Sequence, residues 1–225
     1  MRRERLEGDS YYTPKKLVYP LLNRIQLSGN VLECCAGREE TPILDALDEY
    51  RDKAGYPVPF EIFSNDVVEN ICTPLNSCAD ASTSDGWRSI FYSMPNLGEL
   101  IHWTVTNPPF KLTPKILPLA LANSEIGVAF LLRLSYQEPC QNGDSARDEW
   151  LKAHADKLCL QMVVNPRPRH RADVNGSDNI MLAWFVWRKD FSWKALGVES
   201  PFAYATNWQQ LDSWHQPEKA NNCYV

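Results

Sequence analysis

Apolar and polar positions along the chain alternate between two periods. Short, nearly continuous apolar runs bounded by Gly, Pro, Asn or Asp recur at 29–35, 60–66, 77–80, 101–107, 126–134, 158–164 and 179–189. Runs of that length and bounding read as buried strands. Longer segments with helical spacing lie between them, at 41–55, 85–94, 113–123 and 146–157. Thr41 and Pro42 suit the start of the first helix and Gly55 its end. Pro118 lies inside the third and is expected to bend it. Residues 67–75 offer at most a short helix. Strands that are apolar on consecutive positions are covered on both faces. Strand–helix alternation therefore predicts an α/β fold, a doubly wound and mostly parallel sheet between helical layers. The last two strands are joined by a polar, Pro-rich stretch, 165–178, with no helical period, so they are expected to pair antiparallel. One domain over 1–199 and a polar C-terminal tail over 200–225 complete the predicted organisation.

Composition narrows the function classes only a little. The 225 residues are 44% hydrophobic and 23% charged, ordinary globular usage, and the formal charge is −5. A whole-chain basic footprint for nucleic acid is thus excluded, and such a contact would need a local patch. Two patches exist. One comprises Arg2, Arg3, Arg5, Lys15 and Lys16. The other is "PRPRHR", with Arg167, Arg169, His170 and Arg171, for which a solvated surface loop is the competing reading. The seven cysteines include no CxxC pair and the four histidines are scattered, so no metal site is expected. With no signal peptide or long apolar run, the chain reads as a protein of a reducing cytoplasm with free thiols.

Chemistry enters at the strand ends. In open α/β sheets, ligands bind beyond the carboxyl ends of the strands. The first strand ends in Glu33-Cys34-Cys35-Ala36-Gly37, the second in Asp66, the third in Asp80-Ala81, and the fourth in Asn107-Pro108-Pro109-Phe110. An Asp after a strand is commonly a helix cap. Four special ends in this order point more strongly to one ligand pocket. The two prolines fix φ and remove two N–H groups. They make a stiff loop that holds the Asn107 side chain and the neighbouring carbonyls in place.

These motifs resemble those of the N6-adenine DNA methyltransferases that use S-adenosylmethionine (AdoMet), the small phage and prokaryotic type. "NPPF" matches their catalytic (D/N/S)PP(Y/F) motif. "VLECCAG", "SNDV" and "ADAST" resemble their cofactor contacts, and "YYTP" resembles the segment that closes over the methionine end. "GVAFLLRLSYQEP" and "GSDNIMLAWFVW" are similar to later parts of these enzymes, so the resemblance spans about residues 11–189. Where the family's first motif commonly carries a further glycine, this chain has Glu39. It is expected to face solvent near the helix start, where the macrodipole favours an anion.

The resemblance implies a class I, Rossmann-like methyltransferase domain with specific roles for its residues. Asn107 and Pro108 would accept hydrogen bonds from the target amine, Pro109 would stiffen the loop, and Phe110 would stack on the base. Tyr12, Thr13 and Pro14 would cover the methionine end. Glu33, Cys35, Ala36 and Gly37 would border it. Asp66 and Val67 would meet the ribose, and Asp80 and Ala81 the cofactor adenine. Arg167, Arg169, His170 and Arg171 would contact DNA. The implied partner is DNA, in a bacterial or phage-infected cytoplasm, with the enzyme a monomer or homodimer. Related enzymes with "NPPF" modify RNA amines or a protein glutamine, so the motif reports a planar nitrogen nucleophile. A non-catalytic accessory protein on the same fold is the alternative of another class.

Overall fold

The computed structural model describes residues 13–54, 60–94, 100–140, 145–168 and 181–202. Seven strands form one sheet: β1 (Val31–Glu33), β2 (Ile62–Asp66), β3 (Ser77–Cys78), β4 (Trp103–Thr106), β5 (Gly127–Arg133), β6 (Leu158–Val163) and β7 (Leu182–Arg188). Their order is β3-β2-β1-β4-β5-β7-β6. The first five run parallel, and β7 is antiparallel to both β5 and β6. The expected α/β sheet, mostly parallel with an antiparallel last strand, is thus observed. Because β7 reverses between them, β6 runs in the same direction as β5. The carboxyl ends of six strands therefore share one edge.

The helices are α1 (Tyr19–Leu22), α2 (Pro42–Ala54), α3 (Ser84–Tyr92), α4 (Thr113–Asn123) and α5 (Ala146–Ala153). Side chains alternate across the sheet into two cores. Val31, Val105, Ala129, Leu131, Trp184 and Val186 pack with α1 and α2. Leu32, Phe130, Leu132, Phe185 and Trp187 pack with α3, α4 and α5 on the other face. A strand whose neighbouring positions feed opposite cores must be apolar throughout, which is why these strands read as unbroken runs. Among the described residues, no helix is long and apolar enough to cross a membrane.

The structure adds local detail to these expectations. Residues 67–75 form no helix, because Asn70 Oδ1 accepts from the backbone of Cys72 (2.8 Å) and Thr73 (2.7 Å), a local bond that competes with a helical turn. The helix expected over 146–157 ends at Ala153. His154, with φ −110°, breaks it into a separate 3₁₀ turn (Ala155–Lys157). α4 carries Pro118 inside it, as expected. The packed domain reaches past residue 199: the Ser200 hydroxyl donates to Ala155 O (3.0 Å) and Phe202 lies against the α3–α5 core.

The N-terminal segment was not legible as structure, yet it is firmly docked. A 3₁₀ turn (Lys15–Leu17) leads into α1, whose Leu21 and Leu22 are buried. Tyr19 Oη donates to Glu49 Oε2 on α2 (2.7 Å), and Lys15 Nζ lies 3.0 Å from the same oxygen. Lys53, Tyr19 and Lys15 together hold the Glu49 carboxyl down at about 2. The Trp184 indole on β7 donates to Leu17 O (3.1 Å), joining the two ends of the domain.

Candidate functional site

The carboxyl ends of β1 to β4 build the candidate site from strand register. Leu32 pairs with both Phe63 and Thr104, so the residues that follow emerge together at one edge. Glu33 ends β1 and is 1% exposed. Its Oε1 accepts from Cys35 N (2.9 Å) and from the hydroxyl of Thr106, the last residue of β4. Oε2 is buried with no hydrogen-bond partner among the described residues. Burial pushes the carboxyl up to about 8, against the pull of the Thr106 and Cys35 donors, and Asp66 adds to the rise. A buried acid held near neutrality at a strand end shared with other polar groups has the character of a functional group.

The turn after β1 is tied to β2. Gly37 has φ +90°, a conformation that favours glycine, and its N–H donates to Asp66 Oδ2 (2.9 Å). Asp66 Oδ1 accepts from Val68 N (3.2 Å). Ala36 N donates to Asn65 O (2.9 Å). Asn65 itself is fully buried and locks three strand ends together. Its amide nitrogen donates to Cys34 O and Ala79 O, and its oxygen accepts from Ser77 Oγ and Ala79 N. Val67, expected beside a ribose, is 64% exposed on the rim. The Glu39 side chain is exposed, as expected.

At the end of β3, Asp80 is exposed, and its Oδ1 accepts from Ser82 N (2.9 Å). The Ser82 side chain and backbone hold its carboxyl below the ordinary range. Ala81 is buried, and its carbonyl accepts from the Trp87 indole (2.9 Å). Thr83 caps α3 by accepting from Gly86 N (3.0 Å). A Cβ on Gly86 would lie 1.9 Å from Asp80 O and 2.6 Å from its carbonyl carbon. Gly86→Ala is therefore expected to destabilise the fold by about 1–3 kcal/mol through overpacking. Urea denaturation tests this, and an unchanged midpoint would show that the 80–83 turn moves aside freely.

The loop after β4 holds the remaining groups. Asn107 Nδ2 donates to Thr13 Oγ1 (2.8 Å), and Thr13 is buried. Pro14 leads the 3₁₀ turn behind it, and its carbonyl accepts from Leu17 N (2.8 Å). Pro108 is buried. The Pro109 carbonyl accepts from Leu112 N (2.9 Å), Thr113 N (3.1 Å) and the Thr113 hydroxyl (3.2 Å), so it serves the start of α4. Phe110 is half-buried, with the Arg133 guanidinium 4.6 Å from its ring centroid.

The structure thus unites Thr13, Glu33, Cys35, Ala36, Gly37, Asp66 and Asn107 through direct contacts or one intermediary. Asp80 and Ala81 stand one strand further along the same edge. Arg167 is exposed four residues past β6, on the same edge but three strands from β4. Tyr12, Arg169, His170 and Arg171 lie outside the described residues. Three contributors escaped sequence reading: Asn65, Thr106 and Arg133. Asn65 and Thr106 occupy ordinary strand positions, and Arg133 closes an apolar run. Their partners are set by register, which a single sequence does not display.

No family model and no curated protein matches the chain. A solved "putative hemolysin" from Lactococcus lactis is similar in structure, with a TM-score of 0.53 over 80% of this chain and 89% of that one, at 11% sequence identity. At that identity the likeness speaks for the fold alone.

Proposed function

We propose that the chain transfers a methyl group from AdoMet to the exocyclic N6 amine of an adenine flipped out of DNA. One observation carries the reading: segments around residues 13, 33 and 107, which hold three separate motifs, meet at a single strand edge. Asn107 binds Thr13, and Thr106 beside it binds Glu33. The strand order, with β7 reversed between β5 and β6, also supports a class I methyltransferase of the Rossmann-like type.

The residues fit the cofactor. The buried Glu33 Oε2 lacks a hydrogen-bond partner among the described residues and suits an ammonium group. Each Asp66 oxygen takes one backbone N–H and keeps acceptor capacity for ribose hydroxyls. Asp80, exposed one strand over, suits the adenine amine. Bound AdoMet would supply an electrophilic methyl on a sulfonium sulphur.

The protein's part is to prepare a weak nucleophile, an amine whose lone pair is delocalised into a ring. Because Asn107 Nδ2 is engaged by Thr13, the amide presents Oδ1 as the acceptor. The Pro109 carbonyl is engaged by α4, which leaves the Pro108 carbonyl as the second acceptor. Hydrogen bonds from both amine protons favour a lone-pair-bearing nitrogen and stabilise its developing positive charge. Alignment in the pocket contributes further, since oriented reactants recover roughly 7–11 kcal/mol of barrier. Phe110 stacks on the base, worth about 1–3 kcal/mol. A paired base cannot reach such a pocket, so it must be flipped or already single-stranded.

Mass spectrometry of nucleosides from a host expressing the protein tests the substrate, with N6-methyldeoxyadenosine expected. Methylated RNA or glutamine with unmodified DNA would redirect the reading. A melting curve unmoved by millimolar AdoMet would favour the non-catalytic alternative, since ligand at 100 times its Kd stabilises by about 2.7 kcal/mol.

A further inference from the structure

Thr106 is the last residue of β4 and immediately precedes Asn107. It is fully buried. Leu32 pairs with Thr104, which brings the last residues of β1 and β4 together. A threonine hydroxyl has one proton to give. Here it goes to Glu33 Oε1, which also accepts from Cys35 N. Two donors on one carboxyl oxygen leave the other, Oε2, buried and without a hydrogen-bond partner among the described residues.

The groups around this carboxyl pull in opposite directions. Burial raises it and Asp66, at the end of β2, adds to the rise, while the Thr106 and Cys35 donors lower it. The Cys35 donor is a backbone N–H, so Thr106 supplies the side-chain bond that favours the charged form. β4 itself carries no ionisable side chain. On Glu33's own strand end stand Cys34 and Cys35. Contact with Cys34, together with burial, pushes the Cys35 thiol up and away from the range in which Glu33 titrates. A cationic amine is best met by a carboxylate that is ionised and has an oxygen to spare, and the Thr106 bond serves both needs.

We propose that Thr106 is a positioning residue whose hydroxyl holds Glu33 through Oε1 and so reserves Oε2 for the amino group of AdoMet. This rests on the reading that the strand edge binds AdoMet. It puts the two grips of the proposed reaction on neighbouring residues: Thr106 acts through the cofactor end, and Asn107 on the target amine.

Calorimetric titration of the full chain with AdoMet, repeated across a pH series, tests the role without turnover. Thr106→Val removes the hydroxyl and keeps the branched shape. It is expected to weaken AdoMet binding about tenfold near neutral pH, the scale of one hydrogen bond to a charged group. The deficit should shrink as pH rises above the Glu33 window, because the carboxyl is then charged in both proteins. Protonation of the ligand affects both alike. Thr106→Ser restores the hydroxyl and should recover the wild-type profile. Without ligand, the fall in melting temperature with rising pH should continue to a higher pH in Thr106→Val than in the wild type, since a carboxyl that has lost a donor keeps its proton longer. Thr106→Ala is a second variant without the hydroxyl and should shift both profiles in the same direction. A deficit equal at every pH, or one that Ser does not restore, would overturn the proposal and leave AdoMet binding standing. So would ligand-free profiles of Val and Ala that match the wild type. A wild type that binds no AdoMet at any pH would sink the proposed activity, and the cofactor role of Thr106 with it.

Discussion

Asn107→Ala is expected to lower methyl transfer to DNA adenine by about 100- to 1,000-fold, the range for removing one preorganised group from a polar transition-state site. The change deletes the acceptor proposed for the amine and releases Thr13 from its bond to the loop. Stability should suffer little, by about 1 kcal/mol for one lost hydrogen bond at a half-buried position. Incorporation of tritiated methyl from AdoMet into DNA measures the rate, and thermal melting with and without AdoMet shows that the cofactor end is intact. Asn107→Asp should keep more activity than Ala, because a carboxylate oxygen can still accept from the amine. An alanine variant with wild-type turnover would remove Asn107 from the chemistry.

The second large effect concerns pH and needs no substrate. Glu33 is raised from 4.5 to about 8, chiefly by burial. Between those values the folded chain holds a proton that the unfolded chain has released. Stability therefore falls as pH rises through that window and levels off above it. A shift of this size corresponds to a loss on the order of several kcal/mol. Glu33→Gln keeps an acceptor for Cys35 N and Thr106 and has nothing to ionise. Its melting temperature should fall less than that of the wild type between pH 5 and 9. Parallel curves for the two proteins would show that Glu33 is already charged in the fold. Binding a cationic amine beside Oε2 would favour the ionised form, so AdoMet should stabilise the wild type more at pH 8 than at pH 6.

The two outcomes depend on features that differ in how openly the sequence carries them. The sheet was legible because β5 and β7 are apolar at nearly every position, a pattern that only a two-sided core requires. The strand ends were legible because Glu33, Asp66, Asp80 and Asn107 interrupt apolar runs with polar groups. What stayed hidden are relations between distant positions. Thr106 looks like a β-former, and its role comes from standing beside Glu33. Asn65 looks like the end of a strand, yet its four hydrogen bonds fix where Asp66 and the Cys34–Gly37 turn lie. Arg133 reads as the polar stop of a strand until β4 is placed next to it. The absence of a helix over 67–75 was hidden too, because one Asn side chain decides it locally.

The bond from Trp184 to Leu17 has a consequence for the order in which the protein is made. Residues 13–22 leave the ribosome before every strand, but one of the bonds that hold them comes from the last strand of the sheet. The bond from Trp184 to Leu17 can form only when β7 has been added between β5 and β6. A nascent chain that has completed β1 to β5 already contains the Asn-Pro-Pro-Phe loop, yet the support behind that loop is unfinished. A segment made before β1, with partners on α2 already in place, thus gains its last support from the final strand of the sheet.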